Sequence, residues 1–462
     1  MYVNSGRELI ILKKNKSQSP GLRWCEYVFD IYLGLLLSAF ILICAPYENI
    51  LDVKYGLFYG ICGGFIIVMT LSVIELLFIK QLKMADLLKK LKDNKWMIFL
   101  IVMYLVSTLI SGITSPYDYD YMTGFSRNEG FITQGIYMLT LLFSCFFGRI
   151  KNWHIYLFGA VCIVFSLLCF VQVAGYNPFM LYPEGYNYHD AYVAYSGEYV
   201  GTIGNADLVS AFLSMASSLF FALIFTEKGI KKTMVAIFFT FSFLALLLIK
   251  VAAGILAFFA FLLLFFPLYA YSKHKNWFRR ILTAEVIVIF LGVIIFYVWD
   301  FGKNGTFYDI HLLLHGNLTP RSGSGRIHIY SQVISKIPDH FWFGTGPDSM
   351  AMWELEGFSK YIESLGQTVT RGIDVAHSEY LNILAQQGFI SFIFFVALII
   401  YCIVTFFKEE KNIKNIVLVS PAFAYLIQAF FGFSMCLVAP IFWTFIGMMT
   451  RKKEDEQNET VM

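Results

Sequence analysis

Two side chains in one long polar segment have the types and settings that anion binding and proton transfer require. Arg326 follows the turn Ser322-Gly323-Ser324-Gly325 and opens a predicted amphipathic helix over 326–337. A helix start and a planar guanidinium both favour phosphate oxygens. His377 opens a second predicted helix that ends at Gly388, and a neutral imidazole there can take a proton from a hydroxyl. Structural alternatives stay open: a surface Arg at a helix end, and a capping or interfacial His.

Four polar residues beside predicted membrane spans are further candidates. Arg127 and Glu129 stand two apart before the fourth span, either as a local ion pair or as part of a site. Asp207, at the start of the sixth span, is a helix cap or a site residue. Lys250 stands alone between the seventh and eighth spans, where an ionisable residue is a snorkelling anchor or a site residue.

Several kinds of site are excluded by the sequence. It has no HExxH and no Cys/His or carboxylate cluster, so no catalytic metal is expected. It has no Walker sequence, so nothing suggests ATP hydrolysis. The eight cysteines lie in or beside apolar blocks without a CxxC pair, which predicts buried thiols and no disulfide framework. The net charge of +3 is too small to suggest a nucleic-acid partner.

The composition indicates a membrane protein. Of the residues 58% are hydrophobic and 15% charged, against about a quarter charged in soluble proteins. The apolar residues form blocks long enough to cross a hydrocarbon core of about 30 Å as helices. An all-α polytopic fold with about 12 spans is therefore predicted, at residues 27–46, 57–79, 96–114, 131–148, 153–175, 206–226, 233–249, 251–272, 281–299, 389–407, 415–432 and 434–450. The seventh and eighth spans, and the eleventh and twelfth, are predicted to form tight helical hairpins.

The lysines and arginines predict which side each segment faces. If the N-terminus is inside, the inside segments hold 26 of the 35 basic residues. Residues 1–26 and 451–462 are then cytoplasmic, nine spans lie within 27–299, and three lie within 389–450. The remaining segment, 300–388, is predicted to be a large helical extracytoplasmic loop domain, since its aromatic and amphipathic stretches argue against disorder.

The order of several short motifs resembles the O-antigen ligase family, which includes related polysaccharide polymerases. The resemblance covers roughly residues 120–400. Its motifs are Arg127-Asn-Glu-Gly, Gly201-Thr-Ile-Gly-Asn205, Gly325-Arg326, Gly344-Thr-Gly346, and His377 followed by Tyr380-Leu381 and Gly388.

The resemblance implies a metal-independent C-type glycosyltransferase of the bacterial plasma (inner) membrane. It would join a glycan from an undecaprenyl-pyrophosphate carrier to a hydroxyl of a glycan, lipid or protein acceptor on the outer face of the membrane. Membrane lipids would surround it, and it would need no cofactor. His377 would activate the hydroxyl, and inversion would follow from attack opposite the pyrophosphate. Arg326 would bind the pyrophosphate, and Glu129, Asn205, Asp207 and Tyr380 would support the site.

The chain departs from the family pattern at one arginine. The family commonly has Ser-Arg-Gly near the outer end of the eighth span, where this chain reads Lys250-Val251-Ala252-Ala253-Gly254. Lys250 or Arg127 is left to supply that positive charge, although Lys lacks the bidentate fork of Arg. The residue after the His is often Asn in the family, and here it is Ser378.

Three alternatives remain open at this point. The first is an O-antigen or capsule repeat-unit polymerase of the same family, which differs from a ligase only in its acceptor. The second is a transporter or flippase of lipid-linked sugars, although its ionisable residues should lie at mid-span rather than in loops. The third is a non-catalytic membrane scaffold, because the family arginine is missing.

Overall fold

The computed structural model describes residues 20–45, 50–181, 201–273, 275–302, 305–320, 322–362, 366–408 and 413–451. The predictions for the N-terminal segment 1–26 and for the tail 451–462 lie mostly outside these residues. Within them the chain is overwhelmingly helical, and the predicted class, an all-α polytopic membrane protein, is confirmed.

Eighteen α-helices form the described part of the chain. They are α1 (Pro20–Leu36), α2 (Ala39–Leu42), α3 (Ile50–Phe58), α4 (Gly64–Phe78), α5 (Met84–Asp93), α6 (Lys95–Ile113), α7 (Phe131–Phe147), α8 (Asn152–Val173), α9 (Ala206–Ile224), α10 (Gly229–Ile249), α11 (Ala252–Lys273), α12 (Lys275–Val298), α13 (Thr306–Leu314), α14 (Arg326–Lys336), α15 (Glu379–Gln386), α16 (Gly388–Lys408), α17 (Ile413–Gln428) and α18 (Ala439–Met449). A π-helical turn, Tyr59–Gly63, joins α3 to α4, so those two helices form one continuous span.

Nine helical spans in the described residues are long and apolar enough to cross a membrane. Three further apolar helices, α7, α17 and α18, are shorter. Helix α9 is the centre of the bundle: 83% of its apolar window is buried, and it packs against α10, α11 and α17. Its N-terminal end therefore brings Asp207 to the middle of one end of the bundle.

One predicted hairpin is correct and the other is wrong. Helices α10 and α11 are joined by a tight turn in which Lys250 has a left-handed backbone, with φ of 59°. In contrast, α17 ends at Gln428 and α18 begins at Ala439, so ten residues between them are not helical. Hydropathy concealed this break, because a buried irregular segment is as apolar as a helix.

Short elements occupy the segment 300–388. Helices α13, α14 and α15 confirm its predicted helical content, and α14 begins at Arg326 as predicted. An antiparallel hairpin, β1 (Phe358–Ile362) with β2 (Gln367–Arg371), was not predicted. The turn Phe343–Gly346 packs against the end of α15, where the N–H groups of Thr345 and Gly346 donate to the Gln386 carbonyl. Any side chain at Gly344 would collide with that carbonyl, which explains the glycine.

Candidate functional site

Asp207 brings Arg326 and His377 together. Its Oδ1 accepts a hydrogen bond from Arg326 Nη2 at 3.2 Å, and its Oδ2 lies 3.2 Å from His377 Nδ1. Since a carboxylate only accepts, His377 Nδ1 is the protonated nitrogen and the lone pair of the neutral ring lies on Nε2. The three side chains are separated by 119 and 170 positions in sequence, and all keep some exposure to solvent.

The backbone around each member fixes this arrangement. Asn205 caps α9 by accepting the N–H groups of Asp207 and Leu208, which frees the Asp207 carboxylate for the site. Arg326 also donates to the carbonyls of Phe431 and Gly323.

His377 does not open the helix as predicted: α15 begins at Glu379, and His377 precedes it in an uncommon backbone conformation, with φ of 48°. Ser378, the residue that departs from the family pattern, caps α15 by accepting the Leu381 N–H. The Tyr330 hydroxyl donates to the His377 carbonyl.

Arg127 belongs to the same cluster through an aromatic ring. Its guanidinium lies 4.6 Å from the ring centroid of Phe433, and the His377 ring meets Phe433 edge-on at 5.4 Å between centroids. Arg127 binds Asp374 through two nitrogens, at 2.7 and 2.8 Å. The alternative of an ion pair between Arg127 and Glu129 is therefore wrong. Each arginine is thus bound to an aspartate and shares one neighbour with the imidazole, Asp207 for Arg326 and Phe433 for Arg127.

Asp348 holds the turn that presents Arg127. Its Oδ2 accepts the backbone N–H groups of Ser126 and Arg127 at 3.0 and 2.8 Å, and its Oδ1 accepts the Ser126 hydroxyl. Burial raises the pKa of Asp348, although these hydrogen bonds oppose the shift. Gly124 is required here, because a Cβ would collide with the Asp348 carboxylate and its φ is +99°.

Two more carboxyl groups line a small polar cavity beside Arg127. Glu129 accepts from the Tyr137 hydroxyl and from the Cys436 N–H, at 2.8 and 2.6 Å. Glu379 accepts the Ser434 N–H at 2.7 Å. The cavity between them has a volume of about 20 Å³, enough for a water molecule. Burial raises the pKa of Glu129 well above its usual value and that of Glu379 to about 7.

The irregular segment 429–438, between α17 and α18, contacts both arginines, His377 and the two carboxyl groups of the cavity. Its carbonyls accept from Arg326, from Tyr330 and from the Glu379 N–H. Its N–H groups donate to the carboxyl groups of Glu129 and Glu379, and its Phe433 separates Arg127 from His377. The segment is non-helical, and its backbone is bonded to polar groups of the protein. Membrane proteins tolerate non-helical backbone at membrane depth only where it is buried in protein or lines a cavity.

Three predicted site residues stand outside the central cluster. Asn205 acts as a helix cap. Tyr380 donates to the Leu426 carbonyl and packs on Phe430, so it supports the segment 429–438. Lys250 is exposed at the α10–α11 turn, and among the described residues no hydrogen bond or ion pair joins it to the cluster. Its role in phosphate binding stays a prediction.

Sequence reasoning missed four residues of the site: Asp348, Asp374, Glu379 and Phe433. Asp374 and Glu379 stand within three positions of His377, and that proximity was a usable signal. Phe433 was the single residue between two predicted spans, and Asp348 followed a glycine-rich turn without any sign of its partner.

Part of the chain is similar to a known protein family. Residues 235–396 of the chain match the family model described as O-antigen ligase. The resemblance to the O-antigen ligase family is confirmed. The matched residues are about a third of the chain and include both Arg326 and His377, whereas Arg127 and Asp207 precede them. No curated protein matches the chain. The O-antigen ligase match and the apolar helices together identify a multi-pass membrane protein of glycan processing.

Proposed function

We propose that the chain is a bacterial inner-membrane glycosyltransferase of the O-antigen ligase type. It takes a glycan from an undecaprenyl-pyrophosphate carrier and joins it to an acceptor hydroxyl at the outer face of the membrane, with both termini cytoplasmic and no cofactor or metal. The observation that supports this most is the single carboxylate, Asp207, that binds both a guanidinium suited to phosphate and an imidazole suited to proton transfer.

The proposed reaction uses the imidazole as a general base. Nδ1–H of His377 donates to Asp207, so Nε2 takes the proton of the acceptor hydroxyl. The hydroxyl oxygen attacks the anomeric carbon as its bond to the phosphate oxygen breaks, which inverts that carbon. The electrons of the broken bond leave on the pyrophosphate, and Asp207 stabilises the imidazolium that forms.

The arginines would bind the leaving group. Arg326 lies at the first turn of α14, where Gly325 leaves the helix without a side-chain cap. The helix start and the guanidinium thus favour the same anion. Arg127, which shares the Phe433 ring with His377, would bind a second phosphate oxygen and would replace the arginine missing near Lys250. Glu129 and Tyr380 would act indirectly, by supporting Arg127 and the segment 429–438.

Two alanine variants test the proposal. We expect His377→Ala and Arg326→Ala each to abolish glycan transfer in a strain that lacks its own copy of the gene, at unchanged membrane levels. Exposed His340 and Lys336 offer matched controls, since Lys336 ends the helix that Arg326 begins. Wild-type surface glycan with either site variant would overturn the mechanism.

The gene deletion separates the two enzymes of this family. Full-length glycan left on the carrier would identify a lost ligase, whereas single repeat units left on the carrier would identify a lost polymerase. Unlinked glycan retained at the inner face would indicate transport across the membrane.

A further inference from the structure

The two partners of the Arg127–Asp374 ion pair differ in how many other contacts hold them in place. Among the described residues, Arg127 supplies the only hydrogen bonds that the structure gives to the Asp374 carboxylate. Asp374 lies in the irregular stretch before His377, and 36% of its side chain is exposed, against 18% for Arg127. The carboxylate is therefore accessible to solvent and attached to the site through one partner.

Arg127, in contrast, is held in place without Asp374. Its backbone N–H is bound by the Asp348 carboxylate at 2.8 Å, and its guanidinium lies over the face of Phe433. Nη1 also lies 3.8 Å from the Met435 sulfur. These three contacts come from segments other than the one that contains Asp374. The guanidinium would keep its position if the carboxylate moved away.

The edge of Arg127 that Asp374 occupies is the edge that a phosphate would use. Nε and Nη2 both donate to Asp374 Oδ2, at 2.8 and 2.7 Å, and the same two donors form the planar fork that can donate to two phosphate oxygens. An anion can bind this edge only by displacing the carboxylate or by sharing the fork with it. The carboxylate thus marks the position of an anion at the site.

We propose that Asp374 occupies the phosphate subsite of Arg127 and competes there with the pyrophosphate of the lipid carrier. This inference rests on the proposed function. Donor binding displaces the carboxylate from the guanidinium. After transfer, the carboxylate returns to Arg127 and lowers the affinity for the pyrophosphate product, so that the carrier leaves. No covalent bond forms or breaks in this step, and Asp374 promotes product release by competing for Arg127.

Binding of inorganic pyrophosphate to the purified full-length chain tests this role without need of transfer activity. We expect Asp374→Asn to lower the Kd by about fivefold or more, since a neutral amide competes weakly for a guanidinium. Asp374→Glu should keep a Kd near that of the wild type. Asp374→Ser supplies a second neutral side chain in case the Asn variant fails to fold, which thermal melting reveals. Asp30→Asn, at the Lys151 ion pair elsewhere in the chain, controls for loss of a carboxylate.

The outcomes separate this inference from the proposed function. An unchanged Kd in Asp374→Asn would show that the carboxylate does not occupy the anion subsite. A raised Kd would show that it orients Arg127 instead, and would equally overturn the proposal. If the wild type binds no pyrophosphate and Arg326→Ala changes nothing, the proposed function itself fails. If Arg326→Ala weakens binding while Asp374→Asn does not strengthen it, only the role of Asp374 fails.

Discussion

Replacing Asp207 by Asn is the sharpest test of the arrangement around His377. The amide has the same size as the carboxylate, so the Asn205 cap and the start of α9 should persist. The change removes the negative charge that two partners share, each at 3.2 Å. The amide NH2 can donate to Nδ1, which would place the proton of the imidazole on Nε2 and leave no base for the acceptor hydroxyl.

The magnitude follows from the two functions that Asp207 combines. A positioned general base contributes about 10²–10⁴-fold to a rate. A hydrogen bond to a charged group contributes about 1.5–3 kcal/mol, so loss of the Arg326 contact adds to the effect if that arginine then shifts. We expect transfer to fall about 100- to 1,000-fold, which corresponds to roughly 3–4 kcal/mol in the transition state.

The assay measures glycan transfer in membranes of a deletion strain that express the variant. Immunoblotting verifies equal membrane levels, and Asp30→Asn controls for loss of a different ion-paired aspartate. A rate within threefold of the wild type, at equal protein level, would refute the reasoning, because neither the tautomer of His377 nor the position of Arg326 would then depend on Asp207.

Two other predictions concern the groups beside the cluster. Burial raises the pKa of Glu379 from 4.5 to about 7, so the folded chain holds a proton that the unfolded chain releases, and stability is lost as the pH rises between these two values. Glu379→Gln should therefore raise the Tm relative to the wild type more at pH 8 than at pH 5. A Tm difference that does not depend on pH would contradict this prediction. Phe433→Leu should lower glycan transfer about tenfold, because it removes the ring between Arg127 and His377. Phe406→Leu removes a buried ring outside the site and should not lower transfer. Equal losses of transfer in the two variants would indicate general destabilisation.

Local patterns in the sequence predicted much of the fold and part of the site. Apolar blocks located the helices, because a helix that crosses the membrane needs a continuous apolar stretch. The turn before Arg326 and the glycine at 388 bounded α14 and α15 correctly. These features depend on neighbouring residues only, and neighbouring residues are what a single sequence displays.

Contacts through space were beyond that reach. Asp207 had two local interpretations, as a cap or as a site residue, and only the fold shows its bonds to Arg326 and His377. An ion pair of Arg127 with Glu129, two residues away, was one of two open alternatives, yet the partner of Arg127 is Asp374, 247 positions distant. Glu129 instead accepts hydrogen bonds from the Tyr137 hydroxyl and the Cys436 N–H.

The break between α17 and α18 could have been found from length. Two full spans of about 20 residues with a loop need more than 40 residues, while the stretch 415–450 that contains both predicted spans has 36. The shortage indicated that at least one helix is short or interrupted. Gly432 and Ser434 stand in the middle of this stretch and are poor helix formers compared with their neighbours.

The interruption is a condition of the site rather than a defect in the bundle. In a continuous helix, the carbonyls of Ala429, Phe430 and Phe431 would accept from N–H groups four residues later. Here they accept instead from the Glu379 N–H, the Tyr330 hydroxyl and Arg326 Nε. The N–H groups of Ser434 and Cys436 likewise reach carboxyl groups of two other segments. The apolar stretch thus forms the site because its backbone N–H and C=O groups are not used within a helix. The polar segments around it supply the partners for these groups.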